Sequence, residues 1–287
     1  MEYALKLENV SKIYTDFKLE HVNINLPQGC IMGFIGENGA GKSTTIKLIL
    51  DLIQRDEGTI TLLGKDNKTE LGSVKENIGV VMDESNFPEN LNAVEINKIL
   101  KKTYKTWDEN KFYNLLQSFS ILQNKSIKDY SRGMKMKLSI AVSLSHDSKI
   151  LILDEATSGL DPIVRDEILD IFLDFIQDET HSIFISSHII SDLEKVCDYI
   201  TFIHKGKIVF SESKDDLIDN YGIIKCTEED LKKIDSNFIK GIRKNKFGVE
   251  ALVLKNKIKG NFVIEKAKIE DIMIFHIKEQ IIWSVSY

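Results

Sequence analysis

The sequence predicts an α/β protein with a mixed β-sheet, an inserted helical subdomain and a small C-terminal α+β appendage. Short β-branched, apolar runs alternate with longer segments whose apolar residues recur every three or four positions, which is typical of a sheet with crossover helices. The strand pattern disappears between Asn92 and Ser145. From about Tyr221, lysine becomes dense and short alternating runs return. We therefore expect domains at 1–220 and 221–287, with the helical subdomain at about 84–146.

The predicted strands are short apolar runs: Ala4–Val10, His21–Leu26, Cys30–Ile35, Thr59–Leu63, Ile78–Met82, Ile150–Leu153, Ser182–Ile185, Tyr199–His204 and Lys207–Phe210. The run at 150–153 is apolar throughout, as expected of a strand that is covered on both faces. A turn at Pro27-Gln28-Gly29 indicates that the first three strands are antiparallel. We therefore expect an antiparallel edge at the N-terminal side of the mixed sheet.

The predicted helices of the main domain share an apolar spacing of three and four: Thr44–Ile53, Val94–Tyr104, Glu109–Phe119 and Gly133–Ser145. The appendage is predicted to contain a short amphipathic segment, alternating stretches, a helix and a final strand: Glu228–Ile234, Val249–Leu254, Ile269–Ile277 and Ile281–Val285. The Lys-rich stretch 240–259 lacks the interleaved aromatic side chains of a nucleic-acid platform.

Composition excludes several classes of protein. Of the 287 residues, 43% are hydrophobic and 29% are charged, so the chain is not a disordered or low-complexity protein. A net charge of −6 has the wrong sign for coating nucleic acid, and no nucleic-acid partner is expected. The three cysteines (Cys30, Cys197 and Cys226) form no CxxC pair, which favours a reducing compartment.

Nothing in the chain predicts membrane insertion. No stretch approaches the roughly 18 to 20 apolar residues that span a bilayer, and the charged first ten residues do not fit a secretory signal. We expect a cytoplasmic protein, so any membrane-spanning part would belong to another chain.

The residues from Gly36 to Ser43 fit the pattern G-x-x-x-x-G-K-[ST] between a predicted strand and a predicted helix, the context that a phosphate-binding P-loop requires. Backbone N–H groups of such a loop point at phosphate oxygens, and the helix dipole adds positive potential. Lys42 would reach the β- and γ-phosphates, and the Ser43 hydroxyl would hold Mg²⁺. The expected nucleotide-binding residues are Gly36, Glu37, Asn38, Gly39, Ala40, Gly41, Lys42, Ser43 and Thr44. The alternative is a glycine-rich turn without a ligand.

Two acids, Asp154 and Glu155, end the apolar run at 150–153. The carboxyl edge of a parallel sheet is where ligands of such folds lie. Asp154 therefore suits the Mg²⁺ shell, and Glu155 suits activation of an attacking water. The alternative for Glu155 is a cap of the following turn.

Together these motifs resemble the P-loop NTPase core of ATP-binding cassette (ABC) ATPases, the nucleotide-binding subunits of ABC transporters. The run Tyr130-Ser131-Arg132-Gly133-Met134 resembles the family's LSGGQ signature loop and keeps its serine and second glycine. Ser158 to Pro162 resembles the D-loop, and His188 resembles the switch histidine. Tyr14 lies where the family places an aromatic ring on adenine. The motifs follow family order over residues 1 to about 215, and the signature variant resembles bacterial exporters of the bacitracin-resistance type.

The resemblance implies ATP and Mg²⁺ as ligands, Glu155 and His188 as catalytic residues, and a head-to-tail dimer with a second ATP-binding cassette, identical or not. In such a dimer, Ser131 and Gly133 would bind the γ-phosphate held by the partner subunit, and Asp161 would belong to the same site. Two alternatives stay open. Asp161 before a proline is also an ordinary helix N-cap, and a lone histidine is commonly a core residue.

One position departs from the family pattern. After the strand Ile78–Met82 the family has a glutamine that contacts Mg²⁺ and links the site to the membrane partner, whereas this chain has Asp83. An ionised aspartate accepts but cannot donate hydrogen bonds, and it adds negative charge near the triphosphate. Because it can still serve Mg²⁺ directly or through water, Asp83 joins Ser43 and Asp154 as a candidate metal ligand.

The predicted function is that of the ATP-hydrolysing subunit of an ABC transporter, peripheral on the cytoplasmic face of the cell membrane, which energises a separate integral membrane permease. The resemblance places permease docking at Phe87, Pro88 and the helix Val94–Tyr104, although packing of that helix on its own domain is the simpler interpretation. The alternatives are a soluble ABC ATPase acting on ribosomes or DNA, and a regulatory nucleotide-binding module, which the presence of Glu155 disfavours.

Overall fold

The computed structural model describes residues 2–83, 87–246 and 248–284. It divides the chain into two compact units, Met1–Ile208 and Val209–Tyr287. The sequence predicts the boundary between the two domains at 220/221.

The strands that begin in the first unit are β1 (Tyr3–Ile13), β2 (Lys18–Pro27), β3 (Ile31–Ile35), β4 (Glu57–Leu62), β5 (Lys65–Asp66), β6 (Ile78–Val81), β7 (Ile150–Asp154), β8 (Ser182–Ser187), β9 (Tyr199–His204) and β10 (Lys207–Ser213). Its helices are α1 (Lys42–Ile49), α2 (Leu71–Val74), α3 (Ala93–Thr103), α4 (Glu109–Ser118), α5 (Arg132–Leu144), α6 (Pro162–Phe175) and α7 (Ile190–Val196).

A largely parallel sheet positions the functional residues. Its strand order is β10-β9-β3-β8-β7-β6, and the pairs from β9 to β6 are parallel. Every residue of β3, β7 and β8 is buried, as expected of parallel strands covered on both faces. The carboxyl ends of these three strands therefore meet at one edge of the sheet.

The antiparallel strands form a second sheet, of order β2-β1-β4-β5. The predicted antiparallel arrangement is confirmed for β1 and β2 and is wrong for β3, which pairs in parallel with β8 and β9. A strand that is buried on both faces suits the centre of a parallel sheet. The turn after Pro27 thus leads from one sheet into the other.

Helices α3, α4 and α5 form the inserted subdomain, as predicted. Asn92 accepts a hydrogen bond from the Glu95 N–H while the Glu95 side chain accepts from the Asn92 N–H, so α3 begins with a capping box. Asp108 caps α4 by accepting from the Lys111 N–H. The helices bury their apolar faces against one another around Phe112 and other core side chains.

The second unit contains a four-stranded antiparallel sheet. Its elements after β10 are α8 (Lys214–Asn220), β11 (Tyr221–Cys226), α9 (Glu228–Leu231), β12 (Ile239–Asn245), β13 (Gly248–Leu254), β14 (Ile264–Lys266) and α10 (Ile269–Ser284). The sheet order is β12-β13-β11-β14, and Ile224, Ala251 and Val253 lie in its core.

The predicted final strand at Ile281–Val285 is wrong over 281–284, where α10 continues, and Val285 lies outside the described residues. A short, continuous apolar run does not distinguish strand from helix by its periodicity. Within the part of the chain that the structure describes, no helix is both long and apolar enough to cross a membrane.

Candidate active site

The segments that follow β3, β7 and β8 line one cleft of about 750 Å³, within the size range of small-molecule sites. Most of the predicted site residues line it: Glu37, Asn38, Gly39, Gly41, Lys42, Ser43, Thr44, Asp83, Glu155 and His188. The fold therefore brings together residues that are up to about 150 positions apart in sequence. Four further residues complete the lining: Asp16, Phe17, Arg132 and Ser158.

The loop between β3 and α1 depends on glycine at two positions. A Cβ atom on Gly36 would lie 2.6 Å from the carbonyl oxygen of Ile203, so only glycine fits there without movement of the backbone. Gly41 has a φ of +117°, a left-handed conformation that side chains rarely adopt. As the N-cap of α1, Gly41 brings no side-chain acceptor to the first N–H groups of the helix. These N–H groups are the ones that a phosphate can satisfy.

Lys42 is held inside this loop. Its Nζ atom donates to the Gly36 carbonyl oxygen at 2.8 Å and lies 3.4 Å from Oε1 of Glu155. The side chain is only 7% exposed. The lysine thus presents a positive charge, already oriented by the loop, next to the carboxylate that follows β7.

Glu155 contacts both Lys42 and His188. Its Oε2 atom lies 2.6 Å from Nδ1 of His188, and its side chain is 12% exposed. Its backbone has a φ of 53°, an uncommon conformation for a residue other than glycine, which is typical of residues at functional sites. The Glu155 N–H donates to the backbone and side-chain oxygens of Ser186, both at 3.1 Å, which holds this conformation.

Asp154 lies beneath the cleft floor. It is 4% exposed, and its Oδ1 atom accepts a hydrogen bond of 2.6 Å from the Ser186 hydroxyl. Because Ser186 also contacts Glu155, the end of β8 fixes both acids that follow the apolar part of β7. Gly36 and Ala40 are likewise buried within the loop.

A second polar contact supports the phosphate loop. Nδ1 of the buried His204, at the end of β9, lies 2.7 Å from Oε1 of Glu37. Although burial of the carboxyl opposes it, the interaction with His204 holds the pKa of Glu37 below its usual value. Sequence analysis missed His204, since its only local feature is that it ends a predicted strand.

Asp83 forms an ion pair with Arg132. The distance from Oδ1 of Asp83 to Nη2 of Arg132 is 2.6 Å, and both side chains are about half exposed. Arg132 replaces the first glycine of the signature pattern, and sequence analysis assigned it no role. The pairing could not be predicted, because the two residues belong to different elements.

Apart from the buried Gly36, Ala40 and Asp154, four predicted residues do not line the cleft. Ser131 is the N-cap of α5, where its hydroxyl accepts from the Met134 N–H at 3.2 Å, and Gly133 lies in the first turn of that helix. Asp161 caps α6 by accepting from the N–H groups of Ile163 and Val164, so its structural role is observed directly. Tyr14 is 44% exposed on the turn between β1 and β2, whereas Phe17 of the same turn lines the cleft.

A partly buried ion pair supports the segment after Glu155. Nε of Arg165 lies 3.7 Å from Oδ2 of Asp192, and its Nη2 donates to the Leu160 carbonyl oxygen at 3.2 Å. Burial raises the pKa of the Asp192 carboxyl, against the opposing effects of its polar and cationic neighbours. Arg165 thereby links the loop that contains Asp161 to α7, and no sequence motif pointed to it.

Similarity to known proteins agrees with this geometry. The sequence model of the ABC transporter family matches residues 19–158. The chain is 34% identical over 212 residues to the bacitracin transport ATP-binding protein of Enterococcus faecalis, covering 73% of this chain and 69% of that protein. It is 37% identical over 215 residues to the lantibiotic transport ATP-binding protein of Streptococcus pyogenes, covering 74% and 91%.

Solved structures agree with the fold. One described as the ATP binding subunit of an ABC transporter has a TM-score of 0.66 at 26% identity, covering 75% of this chain and 91% of that one. The cbiO1 protein of Clostridium perfringens, part of an ABC transporter complex, has a TM-score of 0.64 at 24% identity, covering 76% and 91%. That second likeness bears on the fold alone.

A P-loop cleft on a parallel sheet, together with these matches, defines the class of protein. The chain belongs to the ABC transporter family, in which it is an ATP-binding subunit and an ATPase. The predicted resemblance, fold and activity are confirmed, and a soluble ABC ATPase acting on ribosomes or DNA is not favoured.

Proposed function

We propose that this chain binds ATP in the cleft, pairs head-to-tail with a second cassette, and uses hydrolysis to drive a separate integral membrane permease. The observation that carries the proposal is the meeting of Lys42, Glu155 and His188, from three separate elements, in the cleft at the start of α1. A cation, a carboxylate and an imidazole at an uncapped helix N-terminus suit phosphoryl transfer to water.

The phosphate loop supplies the binding of ATP. In this proposal the loop from Gly36 to Thr44 binds the phosphates through its N–H groups and Lys42. Tyr14, which is 44% exposed and lies three residues before the cleft-lining Phe17, stacks on the adenine. Ser131, Gly133 and Asp161 face the nucleotide of the partner subunit, which agrees with their position outside this chain's own cleft.

Mg²⁺ fits the oxygen donors available here. Ser43 and Asp83 line the cleft, and Asp154 lies beneath it. Hydroxyl and carboxylate oxygens are the ligands that Mg²⁺ prefers. When bound, the ion neutralises charge on the β- and γ-phosphates. We assign Ser43, Asp83 and Asp154 to holding it.

Glu155 is the proposed general base. Its carboxylate accepts a proton from the attacking water. A general base in this role typically increases the reaction rate by about 10²- to 10⁴-fold. His188 lies 2.6 Å away and is 48% exposed, so it can hold Glu155 in place and contact the γ-phosphate from the open side. Lys42, on the other side of Glu155, stabilises the negative charge that develops on the phosphate oxygens.

The permease contact is proposed at Phe87, Pro88 and the predicted helix Val94–Tyr104, together with an apolar groove of about 600 Å³ that Tyr104 also lines. Side chains from the α/β core and from the end of α3 line it together. Two of them, Leu52 and Val80, are large apolar residues that remain 62% and 38% exposed. Such a patch is typical of a protein-binding surface. Binding of the permease at this surface would place the subunit peripherally on the cytoplasmic face of the membrane. Since two relatives are named for bacitracin and lantibiotic transport, we propose a compound of the bacitracin or lantibiotic kind as the substrate of the permease.

The test is the variant Glu155→Gln, which keeps the shape of the side chain and removes the base. We expect retained ATP binding, at least about 100-fold slower turnover, and a stable ATP-dependent dimer by light scattering. Glu8→Gln, on an exposed strand position paired with Lys6, serves as the control and should behave as wild type. Unchanged turnover in Glu155→Gln would remove Glu155 from the mechanism.

A further inference from the structure

The ion pair between Arg132 and Asp83 lies in the nucleotide cleft. Asp83 comes two residues after β6, and Arg132 is the first residue of α5, so the pair joins the α/β core to the helical subdomain. Both residues line the cleft that Lys42 also lines. The pair is therefore close enough to a bound triphosphate to influence its affinity.

The guanidinium group of Arg132 is positioned from two sides. One nitrogen, Nη2, lies 2.6 Å from the Asp83 carboxylate. Another, Nη1, would lie 2.7 Å from a Cβ atom at Gly159, which has a φ of +67°. The absence of a side chain at Gly159 therefore leaves the space that Arg132 occupies.

The charges in the cleft account for the need for this arginine. Four carboxylates line a site whose ligand is a polyanion: Asp16, Glu37, Asp83 and Glu155. Lys42 lies against Glu155, His204 lies against Glu37, and Arg132 lies against Asp83. An uncompensated carboxylate here would repel phosphate, and the field of half-exposed charges acts over about 8–10 Å at moderate salt.

A role in folding stability is a weaker explanation. Both partners are about half exposed, and exposed ion pairs contribute little to stability because water and salt screen them. The pair that lies one turn further along α5, Lys135 with Glu89 at 2.9 Å, has the same form but does not line the nucleotide cleft. It provides a matched comparison within the same helix.

We propose that Arg132 sets the affinity for ATP by neutralising Asp83, so that the cleft accepts a triphosphate despite a carboxylate in its wall. The inference rests on the proposed nucleotide site and extends it to an affinity-determining pair. Removal of the arginine alone leaves the negative charge in place, whereas removal of both charges restores the balance. The second change should therefore compensate for the first and return the affinity to that of wild type.

The experiment measures ATP binding to the full chain by calorimetry with a chelator present, which separates the charge effect from any metal ligation by Asp83. At low salt, Arg132→Ala should bind ATP about two- to five-fold more weakly than wild type, and the difference should shrink as salt is raised. Asp83→Asn should bind more tightly than wild type. The double variant should bind within about two-fold of wild type, which also shows that loss of Arg132 does not impair folding.

Lys135→Ala and Glu89→Gln should leave ATP affinity unchanged. Equal losses in Arg132→Ala and in the double variant would mean that the arginine contacts phosphate directly, and this result would overturn the proposal, as would wild-type affinity in Arg132→Ala. Lys42→Ala distinguishes a failure of the proposed nucleotide site from a failure of the proposed role of the Arg132–Asp83 pair. Wild-type binding in that variant would reject the nucleotide site itself, whereas its loss together with an unaffected Arg132→Ala would reject the pair alone.

Discussion

Two helix N-termini in this chain were predicted to bind phosphate, and they are built differently. Helix α1 begins after Gly41, which has no side chain with which to cap the helix, and the first residue of α1 is the buried Lys42. Helix α5 begins after Ser131, whose hydroxyl already accepts from the Met134 N–H. The first site thus leaves its N–H groups for a ligand, whereas the second is satisfied within the chain.

The difference indicates which phosphate contacts each helix N-terminus can provide. A loop that supplies only N–H groups and a lysine is complete for phosphate without a partner. A capping serine still has its own O–H to donate, so α5 can add a contact to a phosphate that another subunit holds. The comparison therefore separates an ATP-binding site of the single chain from a site that needs a dimer.

The largest expected effect tests the first site. Lys42→Ala removes the buried charge, and hydrogen bonds to charged groups are worth about 1.5–3 kcal/mol, so ATP affinity should fall about 10- to 100-fold by calorimetry. Lys47→Ala, in the last turn of the same helix, is the matched control and should bind as wild type. Loss of affinity in both variants would show a general effect of charge rather than a site at the start of α1.

The next prediction sharpens the description of the second site. In the Glu155→Gln background, Ser131→Ala removes both the cap and the donor, so it should abolish the ATP-dependent dimer and lower the Tm by about 2–4 °C. Ser131→Asp keeps a capping acceptor but faces the partner's phosphate with a negative charge. It should retain the Tm and still lose the dimer. A dimer that persists in Ser131→Asp would contradict a phosphate contact at α5.

The smallest effect concerns a third helix start, at α6. Asp161 accepts two N–H groups there, and loss of such a cap costs about 1 kcal/mol. Asp161→Ala should lower the Tm by about 2–4 °C, while Asp161→Asn, which keeps an acceptor, should match wild type. Equal melting temperatures for all three proteins would mean that the observed cap contributes nothing to stability.

The sequence predicted most of the site because its signals are local. The glycines and the lysine of the phosphate loop, and the two acids after an apolar strand, are each recognisable from neighbours within a few residues. The partners that hold these residues were not predicted. Ser186, His204 and Arg165 each act through a contact with a distant segment. No local pattern distinguishes such a serine, histidine or arginine from an ordinary one.

The sequence by itself determined most strands of the first unit, the phosphate loop, the paired acids and the family, because hydrophobic period and motif spacing are properties of short segments. Only the tertiary structure decided that β3 lies inside the parallel sheet and that α10 continues past 280. It also decided that Asp83 meets Arg132. Those outcomes depend on packing and charge between segments far apart in the chain, where many pairings are compatible with the same local pattern.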